Sequence, residues 1–202
     1  MTEKELINLL PEFIHNSETY YLVITDLEGR YSYLNDVFKK RFAFMNMDLI
    51  GQPFSVSVHP EDVEKCNLVA YQCIANPEKI IKVQVRKPDN LAGDFYWTHW
   101  EFSLFKDQNQ QPIGILCLGH DITIILQQNE TLRQIAWQQS HEVRRPVANI
   151  LGLINIIQTD KTLTPKEKKQ FLTYLFQATQ ELDQVIHKIV AQSNENEYQP
   201  IK

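Results

Sequence analysis

Two hydrophobic rhythms divide the chain. Short β-rich runs dominate before residue 120, whereas from Ile124 apolar residues recur three and four apart. Tyr20-Tyr21-Leu22-Val23-Ile24-Thr25 and Arg30-Tyr31-Ser32-Tyr33-Leu34 flank Asp26-Leu27-Glu28-Gly29, a short loop closing on glycine, and so predict a hairpin. Asn35 is placed to cap a helical stretch through Phe38 and Phe42. Pro60 falls in the first turn of another helix, with Glu61 and Asp62 favourable to its dipole, running past Val63, Cys66 and Val69 towards Ile74. Strands are expected over 79–86, 95–105 and 112–119, with turns at Lys87-Pro88-Asp89-Asn90 and Asp107-Gln108-Asn109. In the middle strand Tyr96, Thr98, Trp100, Phe102 and Leu104 alternate with Trp97, His99, Glu101 and Ser103, and the first set is assigned to the core. A hairpin, helices and a three-stranded meander predict an α+β domain, an antiparallel sheet with helices on one face.

Helical periods flank that domain. Residues 2–18 read as an amphipathic helix with Leu6, Ile7, Leu10, Phe13 and Ile14 on one side and Pro11 within it. It is either a lid on the following domain or a dimer contact. Asp121 is placed to cap a long helix over 124–158. A loop at 159–164 leads to Thr164-Pro165-Lys166-Glu167, which combines an N-cap, a first-position proline and the acid of a capping box. The second helix carries Phe171, Leu172, Leu175, Ala178, Leu182, Val185, Ile186 and Ile189 as an apolar stripe, with His187 at its boundary. Two such helices form an antiparallel hairpin that cannot bury its wide apolar face alone. Pairing two copies into a four-helix bundle is the simplest solution, so a homodimer is expected. The division is an N-terminal helix at 1–17, the α+β domain at 18–123, the helical hairpin at 124–194 and a polar tail at 195–202.

Composition narrows the partners. A 202-residue chain with a net charge of -5 and no Lys/Arg run argues against nucleic acid. Cys66, Cys73 and Cys117 cannot pair completely and lack metal-ligand spacing, which suits a reducing interior. No apolar stretch approaches the roughly 18 residues that cross a membrane, and nothing at the start reads as a signal peptide. The expectation is a cytoplasmic protein without a metal and without membrane insertion.

The candidate chemistry lies in Ser140-His141-Glu142-Val143-Arg144-Arg145-Pro146. His141 is about 200° around the helix from Val143, on the wet face, with an acid beside it. Arg145 follows one turn on. Pro146 removes a backbone donor and presses on the carbonyl of Glu142, a distortion costing about 3 kcal/mol in a plain helix. An exposed imidazole with an adjoining carboxylate before a helix-straining proline has the look of a nucleophile. A zinc-hydrolase reading fails, because His-Glu-x-x-His needs a second imidazole where Arg145 stands. This segment resembles the H-box of sensor histidine kinases, usually Ser-His-Glu-Leu-Arg-Thr/Asn-Pro-Leu. That resemblance implies that His141 accepts a phosphoryl group, that Glu142 is the general base, and that a response-regulator receiver domain is the partner. It extends from about Ile124 to Asn194 and implies a dimerisation and phosphotransfer domain. Arg145 departs from the family's Thr or Asn, which orients the water that dephosphorylates the partner. A guanidinium only donates hydrogen bonds, so phosphatase activity is expected to be weak and Arg145 to contact the phosphoryl instead. No Asp-x-Gly-x-Gly segment or asparagine-rich nucleotide box occurs, so this chain is not expected to bind ATP. The phosphoryl source is then a longer kinase of which this is a fragment, or a kinase catalytic domain acting in trans.

The preceding domain resembles a PAS domain over about 18–123. The similar pieces are Thr25-Asp26-Leu27-Glu28-Gly29-Arg30, Asn35, Ile50-Gly51-Gln52-Pro53, His59-Pro60-Glu61-Asp62, Tyr96-Trp97, Pro112-Ile113-Gly114 and Asp121-Ile122-Thr123. The resemblance implies sensing or dimerisation, with Asp121 and Thr123 as the linker that passes a signal to the helix. No Asn-Cys-Arg-Phe-type flavin segment is present; His59 belongs to the helix start and His99 to a strand, so haem is not expected either. A ligand is possible and its identity unknown. The reading is a two-component phosphorelay protein; the alternative is a non-catalytic, PAS-dependent dimeric adaptor that regulates other histidine kinases.

Overall fold

The computed structural model describes residues 10–90 and 94–196, with side chains described as far as 191. The chain divides into two compact units, one ending at Leu126 and the other beginning at Gln127. The first holds helix α1 (Glu12–His15), β1 (Tyr21–Thr25), β2 (Tyr31–Leu34), α2 (Asp36–Arg41), α3 (Val63–Ala75), β3 (Ile81–Pro88), β4 (Phe95–Lys106) and β5 (Pro112–Asp121). Single 3₁₀ turns at Ala43–Met45, Phe54–Ser57 and Pro60–Asp62 join the helices.

The hairpin and the meander are one sheet. Its order is β2-β1-β5-β4-β3, every pair antiparallel, because β5 returns to lie against β1 with Val23 opposite Cys117. Strand β1 is therefore an interior strand, flanked by β2 and β5, and all five of its residues are buried. On one face Val23, Trp100, Val85 and Cys117 pack with Phe38, Phe42, Cys66 and Val69 from the helices. The expected alternation of β4 holds from Tyr96 to Leu104 with one softening: Tyr96, Thr98, Trp100 and Leu104 are buried and Phe102 is half-buried against the same core, while Trp97, His99, Glu101 and Ser103 are half-buried. Gly119 lies opposite Trp100, and a Cβ there would meet the indole at 2.4 Å, so only glycine lets the ring lie flat against β5.

The other face is not bare. Leu22, Ile24, Tyr33 and Phe105 form a smaller cluster covered in part by Leu10 and Ile14, and the His15 Nδ1 bonds the Tyr33 hydroxyl. This corrects the expected helix at 2–18 within the described residues. Pro11 starts a single turn instead of continuing a helix, and Phe13 points to solvent, 84% exposed. Leu6 and Ile7 lie outside the described residues.

Two buried polar groups tie the helices to the sheet. Asn35 caps α2 by accepting from Phe38 N–H at 3.3 Å, accepts from Leu22 N–H at 3.0 Å and donates to the Tyr20 carbonyl at 2.8 Å. Asp62 does more than complement a helix dipole. It is fully buried, accepting from Arg86 N–H and Nε, both at 2.9 Å, and from Lys65 Nζ at 2.8 Å. These bonds hold its carboxyl well below the usual carboxylate range, the Arg86 guanidinium contributing most.

The second unit is a hairpin of two long helices. Helix α4 (Thr123–Thr159) begins at the end of the first unit and α5 (Pro165–Asn196) follows a five-residue connection, 160–164. Thr164 and Glu167 close the capping box: Thr164 Oγ1 accepts from Glu167 N–H at 3.3 Å and Glu167 Oε2 accepts from Thr164 N–H at 2.8 Å. Residues 197–202 of the expected polar tail lie outside the described residues.

Candidate functional site

His141 sits on the exposed side of α4, its ring centroid 4.2 Å from that of Trp137 one turn earlier. An open groove of about 620 Å³ borders it, lined by Trp137, Glu142, Arg145, Pro146, Val185 and Lys188 among others. The residues singled out from sequence thus share one surface, with α5 supplying the opposite wall. Glu142 is engaged across the hairpin: Lys188 Nζ donates to its two oxygens at 3.1 and 3.3 Å, and Gln138 Nε2 at 3.4 Å. Its hydrogen bonds among the described residues run to those two groups, not to His141. Lys188 was not singled out from sequence. The available signal was a cation on the wet side of the partner helix, facing an acid.

Pro146 lies within the long helix expected over 124–158. Helix α4 runs unbroken from Thr123 to Thr159 and Pro146 is buried. Its lost hydrogen bond is offset by removal of the apolar ring from water. Arg145 stays exposed, one turn from the imidazole.

The joint before α4 is tightly bonded. Asp121 Oδ1 accepts from Thr123 N–H at 2.8 Å, Trp97 N–H donates to Thr123 Oγ1 at 2.9 Å, and Ile122 N–H donates to the Trp97 carbonyl at 2.9 Å. With Ile122 itself buried, the helix leaves the sheet after a single pinned residue.

A second cavity lies inside the first unit, of about 260 Å³, between the sheet and α3. Lys87 lines it. The sequence placed Lys87 in a turn, but β3 continues to Pro88 and Lys87 is buried. The physical reason is parity: Val83, Val85 and Lys87 share the inner face of the strand, and Pro88 is its last paired residue, opposite Phe95. Lys87 Nζ donates to Ser57 Oγ at 3.3 Å and lies 4.9 Å from the centre of the Trp100 ring. Burial pulls the ammonium down to about 8. The three cysteines are free and buried, and burial pushes the thiols of Cys66 and Cys117 up. Among the described residues no His/Cys/Asp/Glu cluster could hold a metal ion, and no helix is long and apolar enough to cross a membrane.

The PAS-fold family profile matches residues 16–124. The chain belongs to the PAS family. Its first unit is a PAS sensory domain, consistent with a role in signalling. Among curated proteins, Drug sensory protein A of Synechocystis sp. is 22% identical over 175 residues, covering 78% of this chain. The chain spans only 26% of that relative's length. Among solved structures, the PAS domain of a Colwellia psychrerythraea protein aligns at 20% identity and TM-score 0.48, covering 58% of this chain and 98% of the other. An RNA-binding light-oxygen-voltage receptor aligns at 14% identity and TM-score 0.51, covering 67% of this chain and 38% of the other. The latter likeness speaks to the fold alone.

Proposed function

We propose that the chain couples PAS sensing to a helical phosphotransfer hairpin in which His141 accepts a phosphoryl group and passes it to a receiver-domain aspartate. The observation carrying this reading is the H-box-like segment 140–147, displayed with its imidazole in solvent beside a groove that also holds Glu142 and Arg145. An imidazole nitrogen forms the N–P bond while the P–O bond to ADP breaks, and the proton on the other ring nitrogen passes to Glu142 or to water. Glu142 must release Lys188 to serve as that base, and the ammonium so freed is positioned to meet the incoming phosphate. Arg145, one turn on, supplies a further donor to the phosphoryl oxygens. ATP is bound by a kinase catalytic domain outside residues 1–202.

The bundle belongs to the same reading. Leu151, Leu172 and Phe176 stand largely in solvent in a single copy, which supports a homodimer that covers them. The test is incubation of the dimer with ATP and a competent histidine-kinase catalytic domain, followed by peptide mass spectrometry at neutral to alkaline pH. The expected result is a phosphoryl on His141 that is lost in His141→Gln and formed more slowly in Glu142→Ala. No phosphoryl on His141 overturns the relay, and unimpaired signalling by His141→Gln assigns the chain to the dimeric adaptors.

A further inference from the structure

The PAS cavity contains a charge without a counter-charge. Lys87 is 5% exposed and makes no ion pair among the described residues. An ammonium carries three donors, and the Ser57 hydroxyl takes one of them. The rings of Trp100, Phe38 and Phe42, with centres 4.9, 5.6 and 5.9 Å away, supply the rest of its surroundings. The neighbouring acids cannot answer it. The thiols of Cys66 and Cys117 and the Tyr31 phenol are held neutral by burial. Asp62 is committed to Arg86 and Lys65. A buried cation in this state is costly unless an anion arrives.

The cavity has room for one. Its inner end holds Lys87, Tyr31, Cys117 and Trp100, all buried, whereas Leu27, Glu28, Tyr71 and Ile74 at the rim are exposed. A 150 Å³ apolar cavity takes benzene, so about 260 Å³ accommodates a molecule of roughly ten heavy atoms. Asp26 and Glu28 at the rim repel a second negative charge at the outer end.

We propose that the PAS cavity binds a small monocarboxylate with an apolar body, the carboxylate pairing with Lys87 and the body lying between Trp100 and the α3 residues Tyr71 and Ile74. This site goes beyond the phosphoryl-acceptor reading and does not depend on His141.

Calorimetry on the full chain near neutral pH tests it, with 3-phenylpropanoate as the acid and 3-phenylpropanamide as its uncharged isostere. The acid is expected to bind about tenfold to a hundredfold more tightly than the amide, the range of one charge-assisted contact. In Lys87→Met that preference disappears while the amide still binds. A measurement on the unmutated chain guards against a folding defect in the variant: the preference for acid declines from about pH 7 to about pH 9.5, as the ammonium loses its proton. Equal affinity for acid and amide, a preference that survives in Lys87→Met, or no binding of either compound at millimolar concentration each overturns the proposal. None of these results bears on phosphorylation of His141.

Discussion

The PAS domain and the helical hairpin treat their apolar side chains in opposite ways. In the first, Leu22, Ile24, Phe38, Phe42 and Trp100 are almost completely removed from water. In the second, Trp137, Leu151 and Phe176 are more than 60% exposed, and among the described residues Ala178 and Pro146 are the buried apolar ones. One unit closes its core within the chain and holds Asp62, Arg86 and Lys65 in a fixed network. The other is an open surface whose polar contacts are local or solvent-facing. Stability in the PAS domain thus rests on long-range contacts, while the single-copy hairpin draws mainly on helix propensity, capping and the seam between its helices.

The largest expected break in that contrast is Asp62→Ala. It removes the buried acceptor of the Arg86 N–H and Nε, leaving Arg86 to its Glu61 pair and Lys65 to solvent, and should destabilise the PAS domain by about 2 kcal/mol, read as an earlier tryptophan-fluorescence transition with the hairpin's helical signal unmoved. A joint shift of both signals would mean that the units unfold together. The same carboxylate gives an acid limb. Its folded pKa is depressed, so its contribution is complete above the unfolded value of about 3.9 and is lost as pH falls below it. Asp62→Asn should flatten that limb.

Lys87 gives a limb at the alkaline end. Its folded value of about 8 lies below the unfolded value of about 10.4, so between them the unfolded chain holds more protons. Lys87 by itself therefore adds stability as pH rises across that window, against the buried thiols of Cys66, Cys73 and Cys117, whose raised values act with the opposite sign, so Lys87→Met should be more stable at neutral pH and should lose stability more steeply with pH than the unmutated chain. A denaturant midpoint series against pH checks both. The smallest effect belongs to the hairpin: Thr164→Ala removes the capping box and should cost about 1 kcal/mol, seen in helical signal alone.

Legibility from sequence follows the range of the interactions. Thr164 and Glu167, three residues apart, were readable because the capping box is local. The alternation of β4 was readable because a period of two reports a half-buried strand directly. Asp62 with Arg86 and Glu142 with Lys188 are pairs across 24 and 46 residues, and no local pattern announces them. Lys87 was misread for a different reason. A lysine before a proline ordinarily marks a turn, and the parity set by Val83 and Val85 was outweighed by that composition. At Pro146 the cost of a mid-helix proline was legible because it is intrinsic to the residue, whereas the burial that offsets it is set by tertiary packing.

The joint at Asp121, Ile122 and Thr123 fixes where α4 begins, a single pinned residue after β5. One added residue would turn every later side chain of the helix by about 100° about its axis, whereas seven would return it to within about 20° of its starting bearing. Along this one helix the spacing from Thr123 to His141 is therefore an angular setting as much as a length.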